Sequence, residues 1–225
     1  MSSSILSDIR RIPPVTRFLT GSLLGVSMLY MLEIVWQNSL IYRFHEVLQS
    51  YQIWRLYTSF FVGSPGLFFL FELLMLYYTA NQLESGYDSP DLAWQLFFAC
   101  IAIMVPCHLL ATTIFLHPLM HCLVYLLSAR TPAGENLSCY GFITLPAKYA
   151  PHAMLLIELL IGGREALFRA LVGVAVGYVW WRIVWGSEKD AAWARAPTWA
   201  KNLGSKVMNV GNGHTWGSGQ TLSDA

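Results

Sequence analysis

Apolar residues in this chain are clustered rather than interleaved with polar ones. Six apolar stretches stand out: Phe18 to Trp36, Leu67 to Ala80, Leu92 to Leu116, Leu119 to Ala129, Tyr149 to Gly162 and Ala166 to Trp185. A helix needs about 20 apolar residues to cross ~30 Å of hydrocarbon. The first, third and last stretches reach that length. The other three do so only by borrowing flanking polar residues, or else lie inside the bundle. The pattern predicts an all-α polytopic membrane protein with six transmembrane helices of unequal length. Short spans are accommodated by local bilayer thinning or by burial among neighbouring helices, each at modest cost. A body that distorts its membrane is the expectation.

Composition agrees. The chain has 225 residues, 55% of them hydrophobic and only 12% charged. A soluble domain carries about 25% charged residues. Mean hydropathy is +0.47. A formal net charge of +1 argues against nucleic acid as a partner, since phosphate neutralisation calls for a basic stripe. The first stretch follows Arg10, Arg11 and Arg17 in the manner of a signal peptide. It is longer than a signal h-region, and no small-residue cleavage site follows Trp36, so it reads as a retained first span.

Cytoplasmic loops retain positive charge. With six spans, Arg43, Arg55, Arg164 and Arg169 fall on one side, and the remaining ten of the 14 Lys and Arg residues fall on the other. That places both termini in the cytosol, and the Asn136-Leu137-Ser138 sequon with them. Residues 1–186 read as the membrane domain. From 187 to 225 the chain carries Gly, Ser, Asn, Ala and scattered charge. Such a segment buries too little apolar surface to offset its ordering entropy, and a flexible cytosolic tail is expected.

Ionisable groups inside apolar runs are costly and mark candidate sites. Glu33 and Arg182 lie near span ends, where snorkelling to the interface accounts for them. Glu72 and Glu158 lie deeper, and together with Asn81 they either line a polar cavity or hold helices together. His117 and His121 are four apart and share a helix face, but Pro118 stands where a zinc-binding HExxH motif needs its Glu. Cys107, His108 and Cys122 lie nearby without a pattern that fixes them as ligands. No metal or cofactor is expected, and the histidines read as helix-packing residues. The four cysteines (Cys100, Cys107, Cys122, Cys139) show no disulfide framework. Gly173 and Gly177 form a GxxxG motif suited to close helix approach, within the fold or in a dimer. Trp54-Arg55 reads as an interfacial aromatic with a snorkelling Arg, or as part of an amphipathic segment wedged in the outer leaflet.

Intramembrane serine proteolysis of the rhomboid type needs a Ser in a GxSG turn at the fourth span and a His in the sixth. The fourth stretch reads His117-Pro118-Leu119-Met120-His121-Cys122, and Ala166 to Trp185 holds no His. A Ser without a base is a weak nucleophile at neutral pH. No catalytic residue is assigned.

Taken together the chain resembles the Derlin family, rhomboid-like pseudoproteases of endoplasmic-reticulum quality control. The resemblance rests on Ile12-Pro13-Pro14-Val15-Thr16-Arg17, on Trp54-Arg55 with Leu56-Tyr57-Thr58-Ser59-Phe60-Phe61, on Glu84 after Asn81-Gln82, on Ile161-Gly162-Gly163, and on Gly173 to Gly177. It implies a rhomboid-like six-helix fold in the endoplasmic-reticulum membrane without protease activity. It also implies retrotranslocation of misfolded luminal and membrane proteins beside a membrane ubiquitin ligase complex, with homo-oligomerisation left open. The tail segment His214 to Leu222 resembles an SHP box, which in related proteins docks onto valosin-containing protein, an AAA ATPase. Trp216 and Leu222 would be its anchors, and Gly217 and Gly219 would allow close backbone approach. The alternatives are a divergent intramembrane hydrolase using His117, His121 and a membrane carboxylate, or a small transporter using Glu72 and Glu158. Against the transporter, no internal repeat is visible.

Overall fold

A computed structural model describes residues 12–86, 88–132, 134–139, 143–184 and 195–201. Helices follow the apolar stretches. In chain order they are α1 (Pro14–Met31), the short α2 (Phe44–Gln49) and α3 (Trp54–Thr58), then α4 (Leu67–Ser85), α5 (Ser89–Leu109), α6 (Leu116–Arg130) and α7 (Ala150–Val184). α7 is broken at Gly163, whose φ of 69° and ψ of −162° belong to a region open essentially to glycine alone. The fifth and sixth apolar stretches are therefore the two arms of α7.

Among the described residues, one helix is long and apolar enough to cross a bilayer by itself. It is α5, with 21 residues and a mean hydropathy of 1.8 over an 18-residue window. The first stretch yields less helix than its apolar length promised. α1 ends at Met31, and Glu33 takes a positive φ of 57°, so the apolar residues that follow it leave the helix. The third stretch divides for a similar reason. Pro106 removes one N–H from the last turns of α5, Ala111 has a φ of 51°, and Leu116 opens the next helix. The all-α expectation also needs a correction. Between α6 and α7 lies a two-stranded antiparallel hairpin, β1 (Asn136–Cys139) with β2 (Ile143–Pro146), in the register Asn136↔Pro146. Leu137 on β1 is buried, which ties the hairpin to the core.

α6 is the axis of the bundle. Leu116, Leu119, Cys122 and Leu123 are fully buried along it. The second arm of α7 lies directly on its backbone: a Cβ at Gly173 would fall 2.1 Å from the Pro118 carbonyl oxygen, and one at Gly177 would fall 3.1 Å from that of Cys122. Only a hydrogen side chain permits the first of these approaches, as in small-residue helix crossings generally.

The start of α1 is held by a carboxylate from α4. Pro13 and Pro14 have no N–H to offer, and the Arg17 N–H already donates to the Pro13 carbonyl at 2.9 Å. Val15 and Thr16 are the N–H groups left over, and both donate to Glu84, at 3.0 Å to Oε1 and 2.7 Å to Oε2. The Thr16 hydroxyl adds a third bond at 2.8 Å. Glu84 is thus a buried group in the last turn of α4, and it caps α1 at the end where its dipole is positive. Glu84→Gln should cost about 2 kcal/mol, since charge-assisted bonds become neutral ones and the amide nitrogen cannot accept. A lowered thermal midpoint in mild detergent would show this.

Part of the expected tail has a place on the bundle. Residues 195–201 sit at the start of α5, where the Ala196 N–H donates to Asp91 Oδ1 at 2.7 Å and Lys201 Nζ lies 3.1 Å from the same oxygen. Trp199 meets Trp94 edge to face at 5.8 Å between centroids. An acidic residue in the first turn of α5 and an aromatic one turn on are enough to seat this segment.

Candidate functional site

The connection 59–66 enters the bundle between α1 and α4. Irregular backbone inside a helical bundle needs partners for its polar groups, and several are supplied here. The Phe115 N–H donates to the Ser59 carbonyl at 2.9 Å. Ser27 on α1 donates to the Phe61 carbonyl at 3.1 Å and accepts from the Gly63 N–H at 2.9 Å. The Tyr30 hydroxyl donates to the Gly63 carbonyl. Glu72, one turn into α4, then takes both donors of Ser64: the N–H at 2.7 Å and the hydroxyl at 2.6 Å.

That clamp forms one wall of a cavity of about 370 Å³ between α4, α6 and the first arm of α7. His117 crosses it. Its Nδ1 lies 2.7 Å from Glu158 Oε1 on α7, and its Nε2 lies 3.4 Å from Glu72 Oε1 on α4. Three helices are joined through one imidazole. His121, one turn further along α6, directs Nδ1 to the His117 carbonyl at 2.8 Å, while its Nε2 is buried without a hydrogen-bond partner. The remaining wall is apolar and rich in methionine (Met75, Met120, Met154), and Arg169 stands at the edge. Methionine side chains repack readily around varied shapes.

Glu72 and Glu158 therefore do share a cavity, and His117 is the residue that relates them. Asn81 does not line it. It lies nine residues beyond Glu72, about 180° around α4 and about 13 Å along it. Gly162 and Gly163 stand at the break in α7, beside Glu158. Among the described residues no three His, Cys, Asp or Glu side chains are grouped to hold a metal ion. Cys100, Cys107 and Cys122 are free thiols.

The snorkelling reading of Arg55 is overturned. The side chain is buried, with 5% of its surface exposed. Nε donates to Gln52 at 2.6 Å, Nη1 to the Asn38 and Ile41 carbonyls at 2.5 and 2.9 Å, and Nη2 pairs with Glu46. Arg55 thus organises the segment between α1 and α4, while neighbouring Trp54 is exposed. Pro14, Thr16 and Glu84 meet at the α1 cap. Arg17 follows in the first turn of α1, its N–H bonded to Pro13. Trp216, Gly217, Gly219 and Leu222 lie outside the described residues. Sequence reasoning missed Ser27 and Ser64, because a lone serine near a helix end carries no mark of which carbonyl or carboxylate it will meet.

The comparisons with known proteins cover nearly the whole chain. A profile of the Der1-like family matches residues 12–194. The maize protein Derlin-1.1 is 27% identical over 202 residues, covering 86% of this chain and 82% of its own length. A probable derlin-1 homolog of Dictyostelium discoideum is 26% identical, covering 94% and 96%. Mouse Derlin-1 is 27% identical, covering 82% and 77%. The Glu84 cap, the Arg55 cluster and the break at Gly163 all fall inside the matched region, and the chain belongs to the Der1-like family.

Proposed function

We propose that this chain is a non-enzymatic component of endoplasmic-reticulum-associated degradation. It binds misfolded luminal and membrane proteins, eases them across a thinned bilayer, and passes them to valosin-containing protein through its C-terminal segment. In this reading it is a six-span protein of the endoplasmic-reticulum membrane with both termini cytosolic, working beside a membrane ubiquitin ligase. The observation that carries the reading is family membership across residues 12–194. The cavity is consistent with binding rather than proteolysis. The Ser64 hydroxyl donates to a carboxylate that also holds the Ser64 N–H, an arrangement that anchors a loop. An activated serine would instead donate to a base oriented by a third group.

The docking claim has a direct test. Trp216→Ala combined with Gly219→Ala should abolish co-purification of the ATPase while the protein stays in the membrane; unchanged recovery would remove the SHP-box assignment. Thinning is tested separately by lengthening the apolar surface of α4. Asn81→Leu with Gln82→Leu brings that helix closer to the ~20 apolar residues of a full span. Degradation of a misfolded reporter should slow, and an unaffected rate would rule out thinning by α4.

One observation favours a second reading. Ser64, Glu72, His117 and Glu158 form a continuous chain of polar contacts, as a divergent hydrolase would also require. Such an enzyme would leave a cleaved reporter, whereas a retrotranslocation factor delivers it whole.

A further inference from the structure

Each ionisable group within the cavity between α4, α6 and α7 already has a partner. Glu72 holds both donors of Ser64 and meets His117 Nε2, Glu158 meets His117 Nδ1, and His121 directs Nδ1 to the His117 carbonyl. What the cavity offers an occupant is therefore apolar. Met75, Met120 and Met154 are its buried lining, while Phe68 on α4 and Ile161 on the first arm of α7 are exposed. Exposed apolar surface continues outward on both helices, through Leu67 and Leu160. One polar group is left over. Arg169 lines the cavity from the second arm of α7 and is exposed, with its Nε donating to the Glu165 carbonyl at 3.1 Å. Among the described residues no carboxylate is ion-paired with it. It lies four residues before Gly173, about 6 Å along the arm from the point where that arm rests on Pro118. Ala166, three residues earlier on the same face, also lines the cavity, and its small side chain leaves room beside the cation.

We propose that this cavity is a phospholipid site, in which one acyl chain lies among the methionines and the phosphodiester sits on the Arg169 guanidinium. Methionine adapts to the varied bends of an acyl chain, and an apolar cavity takes hydrocarbon rather than water. A guanidinium facing a bilayer is costly unless it meets an anion or the interface. With Nε held by Glu165, the two Nη groups of Arg169 remain to grip a phosphate bidentately. A free inorganic anion would use only the cation, and an apolar peptide only the cavity. A phospholipid uses both. Nothing in this site depends on retrotranslocation, so it stands or falls separately from the proposed function.

The full chain is placed in phosphatidylcholine nanodiscs containing a trace of phosphatidylcholine with a diazirine at the tip of one acyl chain. After illumination, adducts are mapped by peptide mass spectrometry. They are expected on the peptides carrying Met120 and Met154, as well as around Val105, an exposed residue of α5 that reports ordinary bilayer contact. Arg169→Gln should lower the methionine adducts about threefold relative to those at Val105, the size expected for an exposed charge. Arg169→Lys keeps the charge and should retain most of them. Ala166→Phe, which narrows the approach, should lower them without touching the cation. Unchanged elution and thermal midpoint show that each variant is folded. Absence of the methionine adducts in the wild-type chain, or an equal level in folded Arg169→Gln, would overturn the site. Their displacement by an excess of a single-span polyleucine peptide would also overturn it, by assigning the cavity to a polypeptide.

Discussion

Gly173→Leu is expected to prevent the second arm of α7 from seating on α6. A Cβ there would lie 2.1 Å from the Pro118 carbonyl oxygen and 2.9 Å from the Pro118 Cα. The obstruction is backbone, which cannot rotate away as a side-chain tip can. Overpacking a tight core costs about 1–3 kcal/mol and sometimes more, and here the second arm of α7 must separate from α6, so about 3 kcal/mol or more is expected. Purified variant should elute as aggregate or unfold well below the parent in a detergent melt. Gly177 supplies the internal control. Its nearest obstruction is at 3.1 Å and includes the Tyr125 side chain, so Gly177→Ala should cost about 1 kcal/mol, at the low end of that range. Equal effects at the two positions would mean that the helices do not cross where Gly173 meets Pro118.

The second large effect is expected at Arg55. Four of its hydrogen bonds reach Gln52, Glu46 and the Asn38 and Ile41 carbonyls. Removing one partner of a buried ion pair typically costs 3–5 kcal/mol, because the other charge is left behind. Glu46 is partly exposed, so about 3 kcal/mol is expected for Arg55→Ala. Arg55→Lys keeps a charge opposite Glu46 but lacks the planar fork that serves both carbonyls, and should recover less than half of the loss. Limited proteolysis between residues 32 and 58 is the readout, since this segment loses its central tie. Uniform destabilisation of the bundle, with no new cleavage there, would contradict the assigned role.

The helices of the bundle were legible because apolar runs long enough to be helical leave little choice. Their ends were not. Leu32, Ile34 and Trp36 are as apolar as the residues of α1, yet the helix ends at Met31 and the chain turns at Glu33 with a positive φ. The Derlin-like residues were recognisable as a set, but their work was not. Pro14, Thr16 and Glu84 are far apart in sequence and make sense only as a prolyl helix start whose two spare N–H groups are met by one carboxylate. Arg55 looked like a snorkelling side chain because its partners include main-chain carbonyls, which no side-chain pattern encodes. Glu72 and Glu158 drew attention by being charged within apolar runs, and that physical argument led to the cavity. His117, which connects them, was singled out only for its spacing to His121. The β1–β2 hairpin had no comparable signal, since its strands are four residues each.

The central claim is that this chain moves misfolded proteins out of the endoplasmic reticulum without cutting them. The most direct measurement is the half-life and size of a misfolded reporter, followed by pulse-chase in cells lacking this chain and in the same cells complemented with it. The account predicts a longer half-life in its absence, restored by the wild-type chain, with the reporter leaving the membrane fraction at full length. An unchanged half-life, or a shortened reporter fragment that forms only when the wild-type chain is present, would contradict it.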